Sequence, residues 1–260
     1  MIKHVLPRDR VLTDKERKNL AILEAVRKSG PISRTDISKV TEFNIVTVSN
    51  YVTHYIKKGL VVEGRLDEST GGRKPVLVEL NPKAAYIIGV GLNMLSVVGV
   101  VVDLETNIIC ELKRDRKPEN TEATIREVQQ IIEQLIKDSK VDKEKIAGVG
   151  VGVPGVIDEQ GRTIRWPQLL GERDTSLCVS IREAFEQQLG IPTFVENDAN
   201  AAVLGEKWLG LEREVRDMLY MFSGIGCGIL INGEIYRGTK GAAGELGIYN
   251  AKPEHQDFVR

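Results

Sequence analysis

The 260-residue sequence predicts an α/β body preceded by an N-terminal winged helix-turn-helix. Three observations carry that expectation. Up to about residue 60, helical apolar spacing is broken twice, at Gly30-Pro31 and at Thr41-Glu42-Phe43, and two β-branched runs then flank a glycine-bearing polar loop. From Tyr86 onward, apolar glycine-bearing strands alternate with amphipathic helices, the pattern of a layered α/β sheet. Charge divides at the same place: residues 1–80 carry 15 Lys+Arg against 10 Asp+Glu, and the remainder carries 21 against 27. A basic head on an acidic body points to a polyanionic partner for the head alone.

In the head, Asp14 is the expected N-cap of a helix over "KERKNLAILEAVRKSG", whose Leu20, Ile22, Leu23 and Val26 share a face. "SRTDISKV" predicts a short helix capped by Ser33. "NIVTVSNYVTHYIKKG" predicts a further helix capped by Asn44 and ending at Gly59, with Val48, Val52, Tyr55 and Ile56 inward. In a helix-turn-helix that last helix lies in the DNA major groove with its first turns facing base edges, which makes Asn44, Thr47, Ser49 and Asn50 candidate DNA contacts. "LVVEG" and "PVLVEL" predict the strands of a wing around "RLDESTGGRK". Gly71 and Gly72 allow close backbone approach, and Arg73 and Lys74 supply charge for a narrow minor groove or a phosphate.

In the body, "YIIGVGL", "SVVGVVVD" and "IICELKRDRK" predict strands, followed by a helix over "ATIREVQQIIEQLIKDS". "KIAGVGVGVPGVID" predicts a buried strand, "SLCVSIREAFEQQLG" a helix, "IPTFVEN" a strand, and "DMLYMFSGIGCGILINGEIYRG" a hairpin. Cys110, Cys178 and Cys227 form no CxxC pair, so neither a disulfide framework nor a zinc spacing is present. The N-terminus has no apolar signal core and no apolar run is of membrane-spanning length, so a cytoplasmic protein without a membrane partner is expected.

The stretch "TFVENDANAAVLGE" carries the chemistry. A strand ends in Glu196-Asn197-Asp198 where a helix is expected from Ala199. Either Asn197 or Asp198 caps that helix with a side-chain oxygen, or the amide and carboxylate serve a hydroxyl-rich ligand.

Seven stretches together resemble the ROK family (repressors, open reading frames and sugar kinases). They are "GVGVGVPGVID", "IPTFVENDANAAVLGE", "GIGCGILINGEIYRGTKGAAGELG" and the head's "PISRTDIS", "NIVTVSNYV", "KKGLVVE" and "GGRKPVLVELNP". The resemblance implies a two-lobed actin-like, sugar-kinase (ribonuclease H-like) body. It further implies domains at 1–80 (winged helix-turn-helix), 86–195 (first lobe) and 196–260 (part of the second lobe). In the family's kinases the aspartate matching Asp198 takes the proton of the sugar hydroxyl, the residues matching Asn197 and Glu245 hold the sugar, and Pro154 and Gly155 match the loop closing over it. The resemblance therefore implies a sugar site at Pro154, Gly155, Asn197, Asp198 and Glu245, with capping as a second role of the Asn197-Asp198 pair.

Phosphoryl transfer depends on holding the nucleotide phosphates and magnesium in place. Where the kinases carry Asp-x-Gly-Gly-Thr, this chain has Gly91-Leu92-Asn93-Met94-Leu95, without the carboxylate and with two bulky apolar residues. Phe222 stands where the second phosphate loop has glycine. The family's Glu-x-Gly-His becomes Glu245-Leu246-Gly247-Ile248, and His255 alone is no metal site. The expectation is a transcriptional regulator of carbohydrate genes, of repressor type, that binds DNA and a sugar or sugar phosphate and is not an enzyme. No cofactor or metal is expected. The alternative is an ATP-dependent ROK sugar kinase with an accessory head. The resemblance also implies a dimer, weakened because the chain stops before the family's cysteine cluster and dimer helices. An exposed apolar face over residues 199–247 is expected with it.

Overall fold

The computed structural model describes residues 12–66, 75–93, 96–115, 121–157, 181–210, 215–222, 226–239 and 241–245. The chain divides into two compact units. One comprises Met1–Ile87, Val101–Ile109 and Val141–Ala147; the other comprises Ile88–Val100, Cys110–Lys140 and Gly148–Arg260.

The N-terminal segment begins with α1 (Asp14–Ser29). Its cap is Thr13, not Asp14. Thr13 Oγ1 accepts from the Glu16 N–H, and the Glu16 carboxylate accepts from the Thr13 N–H at 2.9 Å, a reciprocal capping box. Asp14, one position on, instead pairs with Lys18 at 2.7 Å and complements the positive end of the helix. After β1 (Ile32–Ser33), Ser33 caps α2 (Arg34–Thr41) as expected, accepting from the Asp36 N–H at 3.1 Å. Thr41 belongs to that helix, and Glu42, at φ 58°, ends it in the left-handed region.

Asn44 caps α3 (Ile45–Lys57), its Oδ1 accepting from the Thr47 N–H at 2.8 Å. The strands β2 (Val61–Leu66) and β3 (Val76–Leu80) pair antiparallel, with Val61 opposite Leu80. The two-residue β1 adds to the other side of β3, Ile32 opposite Val78, which gives the order β1-β3-β2.

Three helices and this small sheet share one core of Ile22, Val26, Ile37, Val48, Val52, Tyr55, Val61 and Val78. The core's one hydroxyl, on Tyr55, donates to Asn19 Oδ1 at 2.6 Å, so burying the ring leaves no polar atom unpaired. Along α3 the spacing of Val48, Val52 and Tyr55 fixes which face turns inward, and it leaves Asn50 and Thr53 exposed with Thr47 and Ser49 half-buried.

The larger sheet has five strands in the order β6-β5-β4-β7-β8. They are β4 (Tyr86–Leu92), β5 (Ser96–Asp103), β6 (Ile108–Asp115), β7 (Ile146–Val153) and β8 (Thr193–Asn197). The helix α4 (Thr121–Ser139) buries Val128, Ile131, Ile132 and Leu135. Gly99 on β5 makes room for it: a Cβ there would lie 2.6 Å from Leu135 Cδ1 and 2.8 Å from Ile131 Cγ2. β8 runs parallel to β7, with Val153 opposite Asn197, and α5 (Ile181–Leu189) leads into it. This register sets the ends of β7 and β8 side by side, so the chains leaving them start from one edge of the sheet.

From that edge α6 (Asp198–Leu209) departs, one residue earlier than expected. The predicted hairpin is a three-stranded antiparallel sheet: β9 (Met218–Phe222), β10 (Gly226–Ile231) and β11 (Glu234–Ile235). The second turn, Asn232-Gly233, has positive φ at both residues, 53° and 81°, the pair a tight hairpin turn requires. α6 lies directly on this sheet, and a Cβ at Gly228 would stand 2.3 Å from the Ala199 carbonyl oxygen. The opposite side bears exposed apolar groups, Leu219 and Met221 on β9 and Ile231 on β10, with Trp208 and Leu209 exposed at the end of α6. These groups lie within the stretch 199–247, over which the sequence predicts an exposed apolar face.

Candidate functional site

Asn197 sits at the junction of β8 and α6 and is 8% exposed. Its Oδ1 accepts from the Asn200 N–H at 3.0 Å, so it is the cap of α6. Its Nδ2 donates to the Gly155 carbonyl oxygen and to Glu245 Oε1, both at 3.1 Å. One amide therefore joins three segments distant in sequence: the loop leaving β7, the start of α6, and the chain after β11. Capping and site-building are performed by the same side chain. Among the described residues the Asp198 carboxylate makes no such long-range bond; its Oδ1 accepts from the adjacent Ala199 N–H at 2.8 Å.

Of the five body residues expected in the site, Gly155, Asn197 and Glu245 are bonded together, Asp198 adjoins Asn197, and Pro154 is half-buried beside Gly155. Gly155 has φ 114°, a conformation that favours glycine and turns its carbonyl onto the amide.

Two carboxyls of this cluster are electrostatically strained. Burial pushes the Asp198 carboxyl above its ordinary value against the opposing pull of the Ala199 N–H. Burial also raises Glu245, with the negative charge of Asp198 as the second cause. Half-buried carboxyls of raised affinity for protons, beside an amide, can accept hydrogen bonds from hydroxyls and can receive a proton from one.

Behind them lies an ion pair that no local pattern predicts. Arg237, just past β11, donates from Nη1 to Glu196 Oε1 and from Nη2 to Oε2. Glu196 Oε1 also accepts from the Asn197 N–H at 3.0 Å and from Asn200 Nδ2 at 3.3 Å. Arg237 further accepts, through its carbonyl, from the Ala243 N–H at 3.1 Å, while the Gly244 carbonyl accepts from the Cys227 N–H at 2.9 Å. The chain carrying Glu245 is thus tied to Arg237 at one point and to β10 at another.

At the turn between β4 and β5, Asn93 Oδ1 accepts from the Ser96 N–H at 2.8 Å and Nδ2 donates to Ser96 Oγ at 3.1 Å. The side chain closes the turn locally; Met94 and Leu95 lie outside the described residues.

Among the candidate DNA contacts, Asn44 holds the start of α3, Thr47 and Ser49 are half-buried, and Asn50 is exposed. Gly72, Arg73 and Lys74, with Gly71, lie outside the described residues, as do Ile248 and His255. Among the described residues no three His, Cys, Asp or Glu side chains cluster as metal ligands. Nor is any described helix long and apolar enough to cross a membrane.

The ROK family model matches residues 87–257, and the chain belongs to the ROK family. A putative xylose repressor of Caldicellulosiruptor sp. strain Rt8B.4 is 37% identical over 236 residues, which cover 90% of this chain and 58% of that protein. The chain therefore spans less than two thirds of the length of this curated relative. A ROK family transcriptional regulator homologous to the Escherichia coli Mlc protein superposes with a TM-score of 0.72 at 22% identity, over 92% of this chain and 60% of that one. A ROK glucokinase from Streptomyces griseus, solved with glucose and AMPPNP, gives 0.53 at 27% identity, over 63% of this chain and 50% of its own. The fold is the mixed α/β one of ROK regulators and sugar kinases.

Proposed function

We propose that this chain is the DNA-binding and sugar-sensing part of a transcriptional repressor of carbohydrate genes. Residues 1–80 form a winged helix-turn-helix, 86–195 the first lobe of an actin-like body and 196–260 part of the second. Asn44, Thr47, Ser49 and Asn50 approach DNA from α3, and Gly72, Arg73 and Lys74 from the wing. Pro154, Gly155, Asn197, Asp198 and Glu245 take a sugar or sugar phosphate, with xylose the first candidate because a 37%-identical relative is named for it.

One observation carries the sensor reading. Asn197 bonds Gly155 and Glu245, 42 and 48 residues away in sequence, beside a half-buried Asp198. Those are the residue types and positions that match the sugar contacts of ROK kinases. The absence of catalysis is supported by the β4–β5 turn, where the kinases' phosphate motif would lie: Asn93 closes it onto Ser96, and Leu92 is buried. A cytoplasmic location, and the weakened form of the dimer that the family resemblance implies for two half-sites, complete the reading.

The experiment is a thermal-shift screen of xylose, glucose, N-acetylglucosamine and their phosphates on wild type and Asp198→Ala. A sugar that raises the wild-type midpoint and leaves the variant unmoved is the expected result. A panel that moves neither sinks the sensor reading. Sugar-dependent ADP release from magnesium-ATP that disappears in Asp198→Asn would establish the kinase instead.

A further inference from the structure

We infer that Val46 reads a thymine through its C5-methyl group, next to an adenine read by Asn50. The inference rests on the DNA-binding reading and adds to it a residue type that polar contact lists overlook.

α3 turns Val48, Val52 and Tyr55 into the core at 0–2% exposure. At 100° per residue, the line diametrically opposite runs through Val46, Asn50, Thr53 and Lys57. All four are exposed, and Val46 is 66% exposed, more than any other large apolar residue on this helix. Its neighbour Ile45 is 45% exposed in the same first turn.

Folding gives no reason for Val46. A β-branched side chain in an exposed helix turn loses rotamer freedom against the preceding turn and buries nothing in return. An alanine or lysine there would favour the helix more. The stripe's other members match the major groove: an amide suited to adenine N6 and N7, a hydroxyl, and a lysine at the far end for a phosphate. In an A·T pair the adenine edge and the thymine methyl lie side by side in that groove, so an amide and an apolar group one helical turn apart can address the same or adjacent pairs. The basic charge of residues 1–80 favours a polyanion over an apolar protein surface as the partner.

The test uses the full chain. A short duplex is first enriched from a randomised pool by binding to wild type. Each thymine in the selected sequence is then replaced in turn by deoxyuridine, which removes only the methyl. Wild type is expected to lose about fourfold in affinity at one thymine, the worth of one buried methyl group. Val46→Ala is expected to bind the thymine duplex about fourfold more weakly and to show no further loss with uracil at that position. Its melting temperature should equal or exceed that of wild type, which separates lost reading from lost folding. Asn50→Ala should relax preference at the adjacent adenine. If no uracil replacement affects wild type, or if Val46→Ala keeps the full sensitivity, the inference fails while DNA binding stands. If no sequence is enriched at all, the DNA-binding reading fails with it.

Discussion

Arg237 grips Glu196 through two parallel hydrogen bonds, Nη1 to Oε1 at 2.8 Å and Nη2 to Oε2 at 2.7 Å, across 41 residues of sequence. The pair fixes the end of β8 against the chain that carries Glu245. Its carboxylate is 17% exposed and its guanidinium 33%, so solvent screening weakens the pair less than at an open surface. Arg237→Ala removes two charge-assisted bonds and is expected to cost about 2 kcal/mol in urea unfolding. Arg237→Lys should recover less than half of that loss, because an ammonium cannot match the two-pronged geometry. Equal stability of all three proteins would show that the pair contributes nothing.

Gly228 should tolerate no side chain. A Cβ there would meet the Ala199 carbonyl oxygen at 2.3 Å and Val203 Cβ at 2.9 Å, both in or on α6. Gly228→Ala is expected to destabilise by about 1–3 kcal/mol as the helix is pushed off the sheet. Gly205, with nothing within 4 Å of its Cβ position, is the control. Gly205→Ala should be neutral or stabilising, since alanine favours a helix interior by about 1 kcal/mol over glycine.

The raised carboxyls give stability a pH dependence of definite sign. Asp198 and Glu245 bind protons more tightly in the folded chain than at their ordinary values of 3.8 and 4.5. Between those values and the raised ones the native state holds more protons than the unfolded state. Their contribution is complete below the ordinary values and is lost as pH rises through the raised ones. Asp198→Asn should therefore flatten the decline in melting temperature above pH 4. The difference between the two proteins should close in more acidic solution. A variant curve parallel to wild type throughout would contradict the burial of this carboxyl.

The caps offer a simpler check. Asn44→Ala leaves the Thr47 N–H without its partner at 2.8 Å and should cost about 1 kcal/mol. Thr13→Ala should cost a similar amount and Asp14→Ala less, because Asp14 contributes an exposed pair with Lys18 and a solvent-screened interaction with the helix end. Urea unfolding of the three variants ranks them directly.

What was legible in the sequence had a local signal. Ser33 and Asn44 announce their helices because a cap acts within three residues, and β7 is an unbroken apolar run. The misplaced cap of α1 was legible too, for Thr13 and Glu16 hold the spacing of a capping box. β1 was not: two residues carry no periodicity, and they form a strand only because the edge of β3 accepts them. Asn197 and Glu245 are marked by the family resemblance, whereas nothing local marks Arg237, because its partner lies 41 residues away and an arginine near a turn is commonplace. Sequence spacing likewise gave two roles for the Asn197-Asp198 pair, and only the three-dimensional arrangement assigns the cap to Asn197 and the raised proton affinity to Asp198.

Asn197 has one further consequence. Both of its amide hydrogens and its oxygen are already engaged, by Gly155, Glu245 and the first turn of α6. A hydroxyl could still donate to the second lone pair of Oδ1, but a ligand oxygen offered to Nδ2 would have to take the place of the Gly155 carbonyl or of Glu245. Association at Nδ2 would be an exchange, its net gain the difference between two hydrogen bonds of similar strength. Either the β7 loop or the Glu245 chain would then be released, so occupancy of one side chain would be converted into the slackening of one particular tether.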